Sequence, residues 1–269
     1  MMDSQSRFDR GAEAWADYNQ KPLGRIRCEV VWHNLAPYLP PVTDPDHPPR
    51  VLDMGGGSGE LALRLVQGGY LVWLADSAPA MLDQAQQAAQ DLPAEVRSRL
   101  TLCEVAADRA SGSFAPGYFD VITCHTLIEY LPEPGFTLCA LTSLLGGGGL
   151  LSLSFVNRHA EVLRQVWSRA DPAGALARLE EGAFCAGLFD ITGTAYTTRE
   201  VSDWLVDEGL TLTATCGVRA FADYVPRERL DEAAFFDALL CLEKAVGNRR
   251  PYNLLARYVH LIFNKPIES

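Results

Sequence analysis

A chain of 269 residues, 48% of them apolar, has room for one sizeable α/β domain with additions and a buried core. Its formal charge of −11 repels polyanions, so any RNA must meet a local basic patch. The opening MMDSQSRFDRGAEAW has no apolar signal core, and no stretch reaches the roughly 18 apolar residues of a membrane span; the expected address is cytoplasmic, with no membrane partner.

In chain order, Phe8, Ala12, Trp15 and Tyr18 recur at helical spacing, as do Ile26, Val30, Val31 and Leu35, so two helices are expected before residue 38, with a turn at 19–24. The proline-rich 38–49, YLPPVTDPDHPP, is neither helix nor central strand and closes an N-terminal helical cap and linker, residues 1–49. From residue 50 the pattern alternates: strand 51–54, helix 58–66, strand 70–75, helix 78–90, strands 100–105 and 119–124, helix 133–145, strand 150–156. Such alternation predicts a mostly parallel sheet with helices on both faces. A helical insertion is expected from 160 to about 187, followed by a polar stretch to 198, the whole spanning about 160–197. Helix 199–208, strand 210–215, a helix over about 226–246 and a last strand at 255–263 complete the second unit, residues 50–269. The seven cysteines lie far apart with no CxxC pair or His/Cys ligand spacing, and read as buried apolar residues; no metal is expected.

The strongest local signal is VLDMGGGSGELALRL (51–65). Gly55, Gly57 and Gly59 let the backbone turn sharply and approach a ligand. Asp53 is an acid at a strand end where burial alone would disfavour one. The GxGxG spacing with a preceding acid differs from the GxGxxG of dinucleotide enzymes and suits a cationic, phosphate-free ligand better than a pyrophosphate. Asp76, ending the next strand in LVWLADSAPAML, lies roughly 20 residues beyond the loop, where an acid can hold two ribose hydroxyls. The small residues and acid of Val105-Ala106-Ala107-Asp108 could flank an adenine. Each also has a structural explanation: a tight turn, a helix cap at Asp76, a surface turn at Asp108.

Taken in order, DMGGGSG, AD, AAD, FDVITCHTLIEYLPEP and LLGGGGLLSLSF resemble the class I S-adenosylmethionine-dependent methyltransferases over about residues 50–155. The resemblance implies a Rossmann-like α/β fold with N-terminal helices, a helical insertion before strand 6, and a seven-stranded, mostly parallel sheet ordered 3-2-1-4-5-7-6 whose last strand is antiparallel. It implies S-adenosyl-L-methionine as cofactor.

Four further segments, LGRIRCEVVWHNL (23–35), CHTLIEYL (124–131), GVRAFADYV (217–225) and LLCLEKAVGNRRPYNLLARYVHLIFNKP (239–266), resemble the bacterial tRNA 5-carboxymethoxyuridine methyltransferases. By that resemblance Arg27 pairs with the cofactor's carboxylate, Gly55 and Gly56 lie against its methionine portion, Asp76 takes the ribose, Ala106 and Ala107 meet the adenine, and His125 lines the cleft. The implied acceptor is the carboxylate of 5-carboxymethoxyuridine in tRNA, already ionised and needing no general base. His125, Glu129 and Tyr130 are the nearest base candidates for a hydroxyl or amine acceptor. Two arginine and tyrosine clusters, Arg219, Asp223 and Tyr224 with Arg250, Tyr252, Arg257, Tyr258 and His260, are candidate substrate contacts that could equally be packing.

The lysine-rich run of the tRNA enzymes before strand 6 is replaced here by EEGAFCAGLFDITGTAYTTREV, which weakens the tRNA expectation more than the methyltransferase one. A small-molecule methyltransferase and a non-catalytic cofactor-binding homologue remain alternatives; an NAD-linked oxidoreductase is disfavoured by the glycine spacing.

Overall fold

The computed structural model describes residues 4–267. Two helices, α1 (Ser4–Gln20) and α2 (Pro22–Leu35), precede a seven-stranded sheet. Pro22 opens α2 at a position where its missing N–H costs nothing.

Five strands, β1 (Arg50–Met54), β2 (Leu71–Asp76), β3 (Leu100–Glu104), β4 (Phe119–His125) and β5 (Leu145–Val156), pair in parallel, with helices α3 (Glu60–Gln67) and α4 (Pro79–Ala89) following β1 and β2. A small hairpin, β6 (Ala183–Ala186) and β7 (Ile191–Thr194), lies apart from the sheet. Strands β8 (Thr211–Val218) and β9 (Tyr258–Asn264) complete the order β3-β2-β1-β4-β5-β9-β8. Within this sheet β9 runs opposite to the other six strands, pairing antiparallel with both β5 and β8. This is the arrangement that the resemblance implied.

The central strands are apolar on both sides because helices cover both faces. Leu52, Met54, Ile122, Leu151 and Leu153 join one core, while Val51, Val72, Leu74, Val121 and Leu150 join the other. At roughly 1.5–3 kcal/mol for each fully buried large aliphatic, these two layers dominate the stabilisation. No helix among the described residues is long and apolar enough to cross a membrane.

Two segments differ from their expected structure. The insertion is helical only over Arg158–Arg169 and Pro172–Glu181. Gly182 then adopts φ 65°, a left-handed conformation that ends the second helix, and the chain turns back through β6 and β7. Alternate burial of Phe184, Ile191 and Gly193 belongs to a strand pair rather than to the helix and polar stretch expected there. The tail helix is split: a 3-10 turn, Arg227–Asp231, precedes Ala233–Val246, because Glu232 takes an extended conformation. The last strand starts at Tyr258, after a helical turn at Tyr252–Leu255.

Candidate active site

The strands β1 to β5 end on one edge, the usual ligand edge of an open parallel sheet. At the end of β1 the glycine loop folds back on β2: the N–H groups of Gly55 and Gly56 both donate to the Ala75 carbonyl, at 2.7 and 3.3 Å. Gly57, at φ 54°, donates its N–H to Asp76 Oδ2 at 3.0 Å. A Cβ on Gly56 would sit 2.8 Å from both Asp53 Oδ2 and the Leu74 side chain, so only glycine fits without displacing the acid.

Two cavities open beside this loop. The larger, of about 280 Å3, has Gly55, Gly57, Asp76 and Met81 on one wall. Its other walls come from elsewhere in the chain: Phe8, Trp15 and Tyr18 from α1, Phe184, Leu188 and Phe189 from the hairpin, Arg164 from the insertion, and Arg257 and Tyr258 at the start of β9. The hairpin reaches across to α1, where Phe189 packs against Phe8 and Trp15 with ring centroids 4.9 and 5.6 Å apart. Gly11 makes this possible, since a Cβ there would lie 2.4 Å from the Phe189 ring. The smaller cavity, about 80 Å3, is bounded by Arg27, Asp53, Gly55, Gly56, Glu60 and His125 among others.

The cofactor candidates thus divide. Arg27, Asp53, Gly56 and His125 meet at the smaller cavity, Gly57 and Asp76 at the larger, and Gly55 at both. Ala106 and Ala107 follow β3 on the same edge but do not line either cavity; Ala107 is 6% exposed and packs into the core.

Among the substrate candidates, Arg257 and Tyr258 face the larger cavity. Arg219 is closed off: its Nε donates to Asp223 Oδ2 at 3.0 Å, its Nη2 bonds the other carboxylate oxygen, and Tyr18 takes a third contact. Burial works against the Arg219 charge, but Asp223 and neighbouring tyrosines outweigh it and hold the guanidinium above its ordinary pKa. Tyr224 stacks edge-on against Trp167, and the exposed Arg250 and half-exposed Tyr252 lie away from both cavities. His260 is fully buried within the sheet.

Several wall residues have no recognisable motif. Phe8, Trp15 and Tyr18 show only helical spacing, and Phe184, Leu188 and Phe189 fall in the stretch expected to be helical and polar. Thr126 borders both cavities with φ 52°, a conformation rare for a threonine.

Electrostatically the site holds buried charges that are incompletely paired. Burial pushes the Asp53 carboxyl up to about 6, opposed by a 2.6 Å hydrogen bond from Thr123 Oγ1. Among the described residues Asp53 Oδ2 has no partner, nor does Nε of Arg27, whose Nη2 donates to Asn19 Oδ1 at 2.7 Å and whose guanidinium lies over the Trp15 ring. Burial likewise raises Asp76, against hydrogen bonds from the N–H groups of Ala78 and Gly57. Glu129 is raised to about 7: burial is the main cause, and the Val156 N–H satisfies only one of its oxygens. An unused acid and an unused guanidinium nitrogen bordering one cavity fit the ammonium and carboxylate of a methionine moiety, and Asp76 beside the larger cavity fits a ribose.

The model of the methyltransferase domain family matches residues 25–215. The tRNA 5-carboxymethoxyuridine methyltransferase of Escherichia coli (strain K12) is 30% identical over 257 residues, covering 90% of this chain and 89% of the relative. The ubiquinone biosynthesis O-methyltransferase of Xanthomonas axonopodis pv. citri (strain 306) is 33% identical over 157 residues, 56% of this chain and 60% of that protein. The fold is shared with an S-adenosylmethionine-dependent methyltransferase from Mesorhizobium loti, at TM-score 0.59 and 16% identity over 88% of this chain and 98% of that one. It is shared too with magnesium protoporphyrin IX methyltransferase from Synechocystis PCC 6803 with bound SAH, at TM-score 0.55 and 19% identity over 90% and 83%. With its glycine loop, strand-end acids and sheet order, the chain belongs to the S-adenosylmethionine-dependent methyltransferases of the methyltransferase domain family.

Proposed function

We propose that this enzyme methylates the carboxylate of 5-carboxymethoxyuridine in tRNA. The observation that carries the reading is a pair of arginines that line the larger cavity together with several aromatic side chains, the Asp76 carboxylate lining it as well. Arg164 and Arg257 both line it and share one carboxylate, the buried Glu161, so two guanidinium charges are balanced by one. Aromatic walls from Phe8, Trp15 and Tyr130 suit a flat base, and the surplus positive charge suits an anion attached to it. The relative of matching length named for this reaction supports the same acceptor.

Bound S-adenosylmethionine supplies a methyl group on a positively charged sulfur, transferred by in-line displacement. The protein's share is alignment and exclusion of water, which the apolar hairpin and α1 provide. Since the carboxylate is already ionised near neutral pH, no residue has to remove a proton. Tyr130 would be ill suited to that task, because burial raises its pKa.

A second reading, a small uncharged acceptor, is favoured by the hairpin's apolar contribution of Phe184, Leu188 and Phe189 together with the net charge of −11. Filter binding separates the two. With S-adenosylhomocysteine present, bulk tRNA should bind with an affinity that falls steeply as salt rises; no salt-sensitive binding would exclude the tRNA reading and leave the small acceptor.

A further inference from the structure

Three side chains from three adjacent strands form a hydrogen-bonded chain that ends at the smaller cavity. His125 Nε2, on β4, lies 2.8 Å from Ser152 Oγ on β5, and the same hydroxyl lies 2.8 Å from His260 Nε2 on β9. Ser152 and His260 are fully buried, whereas His125 borders the cavity shared with Arg27 and Asp53. The paired strands fix the spacing, with Ser154 opposite both His125 and His260.

A hydroxyl has one proton and cannot donate to both rings. Both imidazoles are held neutral by burial, which takes His260 down to about 3. Both contacts are therefore hydrogen bonds only when one ring donates to the hydroxyl and the hydroxyl donates to the other. Two directions satisfy this, and His260 Nδ1 distinguishes them because it is buried with no partner among the described residues. If His260 accepted from Ser152, its Nδ1 would carry a proton stranded away from any acceptor. If His260 donates, Nδ1 is only an unused lone pair, the less costly defect.

We propose that His260 and Ser152 are positioning residues that lock His125 into its Nδ1–H tautomer, giving the smaller cavity one fixed N–H donor. Arg27 borders the same cavity with a guanidinium whose buried Nε–H has no partner among the described residues. A guanidinium and a fixed imidazole N–H bordering one small space select an anionic group, and in S-adenosylmethionine that group is the methionine carboxylate. Preorganising the ring avoids a tautomer change on binding.

Nitrogen-15 NMR of the imidazoles in the folded wild-type protein tests this directly. The proposal requires His125 protonated at Nδ1 and His260 at Nε2; the reverse assignment, or the same tautomer at both, overturns it. Binding gives an independent readout. Ser152→Ala should weaken S-adenosylhomocysteine about tenfold while leaving 5′-methylthioadenosine, which lacks the amino acid, within about twofold, and Ser152→Thr should restore the loss. Equal weakening of both ligands, or of neither, would count against the lock.

Discussion

Asp76 Oδ2 accepts a hydrogen bond from the Gly57 N–H at 3.0 Å, so the acid that ends β2 also braces the glycine loop that ends β1. Its other oxygen accepts from the Ala78 N–H at 2.9 Å, just before α4 begins. One side chain thus fixes the loop and lines the larger cavity, where we propose that it takes the ribose.

Asp76→Ala is expected to weaken S-adenosylmethionine binding about 100-fold, because hydrogen bonds to a charged group contribute roughly 1.5–3 kcal/mol each and the loop loses its brace. Asp76→Asn should fall between the two. Calorimetric titration checks this, and a change of less than threefold in the alanine variant would remove Asp76 from the cofactor site.

The apoprotein should lose stability as pH rises through the window from about 4.5 to 7. Glu129 titrates near 4.5 when unfolded and near 7 when folded, so across that interval the folded state holds the extra proton. Its stabilising share is complete below the unfolded value and gone above the folded one, leaving a penalty of about 3 kcal/mol at higher pH, an order-of-magnitude figure. Asp53, raised to about 6, acts in the same direction. Glu129→Gln retains an acceptor for the Val156 N–H and should flatten the pH dependence measured by urea denaturation at pH 5 and pH 8. Parallel curves for wild type and variant would contradict it.

Arg257 should matter for the acceptor and not for the cofactor. Arg257→Met leaves the 3%-exposed Glu161 carboxylate still paired with Arg164, so its charge stays compensated and the loss of one charged hydrogen bond should cost only about 1–3 kcal/mol. The expected pattern is a lower denaturation midpoint and at least tenfold weaker tRNA binding, with S-adenosylhomocysteine affinity within about threefold of wild type. Arg257→Lys retains the charge and should recover part of the tRNA affinity but not the paired geometry.

Phe189→Ala should open the contact between hairpin and α1 without disturbing the sheet. Stopped-flow displacement of S-adenosylhomocysteine is expected to show dissociation about tenfold faster. An unchanged rate would mean that the hairpin does not retain the ligand.

The mostly parallel sheet and the glycine loop were legible because they rest on local rules, alternating apolar strands and helices and glycines where φ must be positive, whereas the strand order came only with the family resemblance. Asp76 was legible for the same reason, standing at a strand end a fixed distance beyond the loop. The cavity's far walls were not. Phe8, Trp15 and Tyr18 lie on an amphipathic helix whose apolar face is indistinguishable, in one sequence, from ordinary packing. Phe184 and Phe189 act through a hairpin set by Gly182 and its left-handed turn, a backbone choice that helical propensity in the preceding residues obscured. Arginine composition does not reveal pairing either: Arg219 and Asp223 neutralise each other, whereas Arg164 and Arg257 compete for one carboxylate.

The most direct test is transfer from S-adenosylmethionine carrying an isotopically labelled methyl group to tRNA bearing 5-carboxymethoxyuridine, followed by mild alkaline hydrolysis. The account predicts label in the tRNA that alkali releases as methanol, the behaviour of a methyl ester, and no label in tRNA lacking the carboxymethoxy group. Label that withstands alkali, or no transfer by enzyme that binds S-adenosylmethionine normally, would contradict the proposed acceptor while leaving the methyltransferase itself intact.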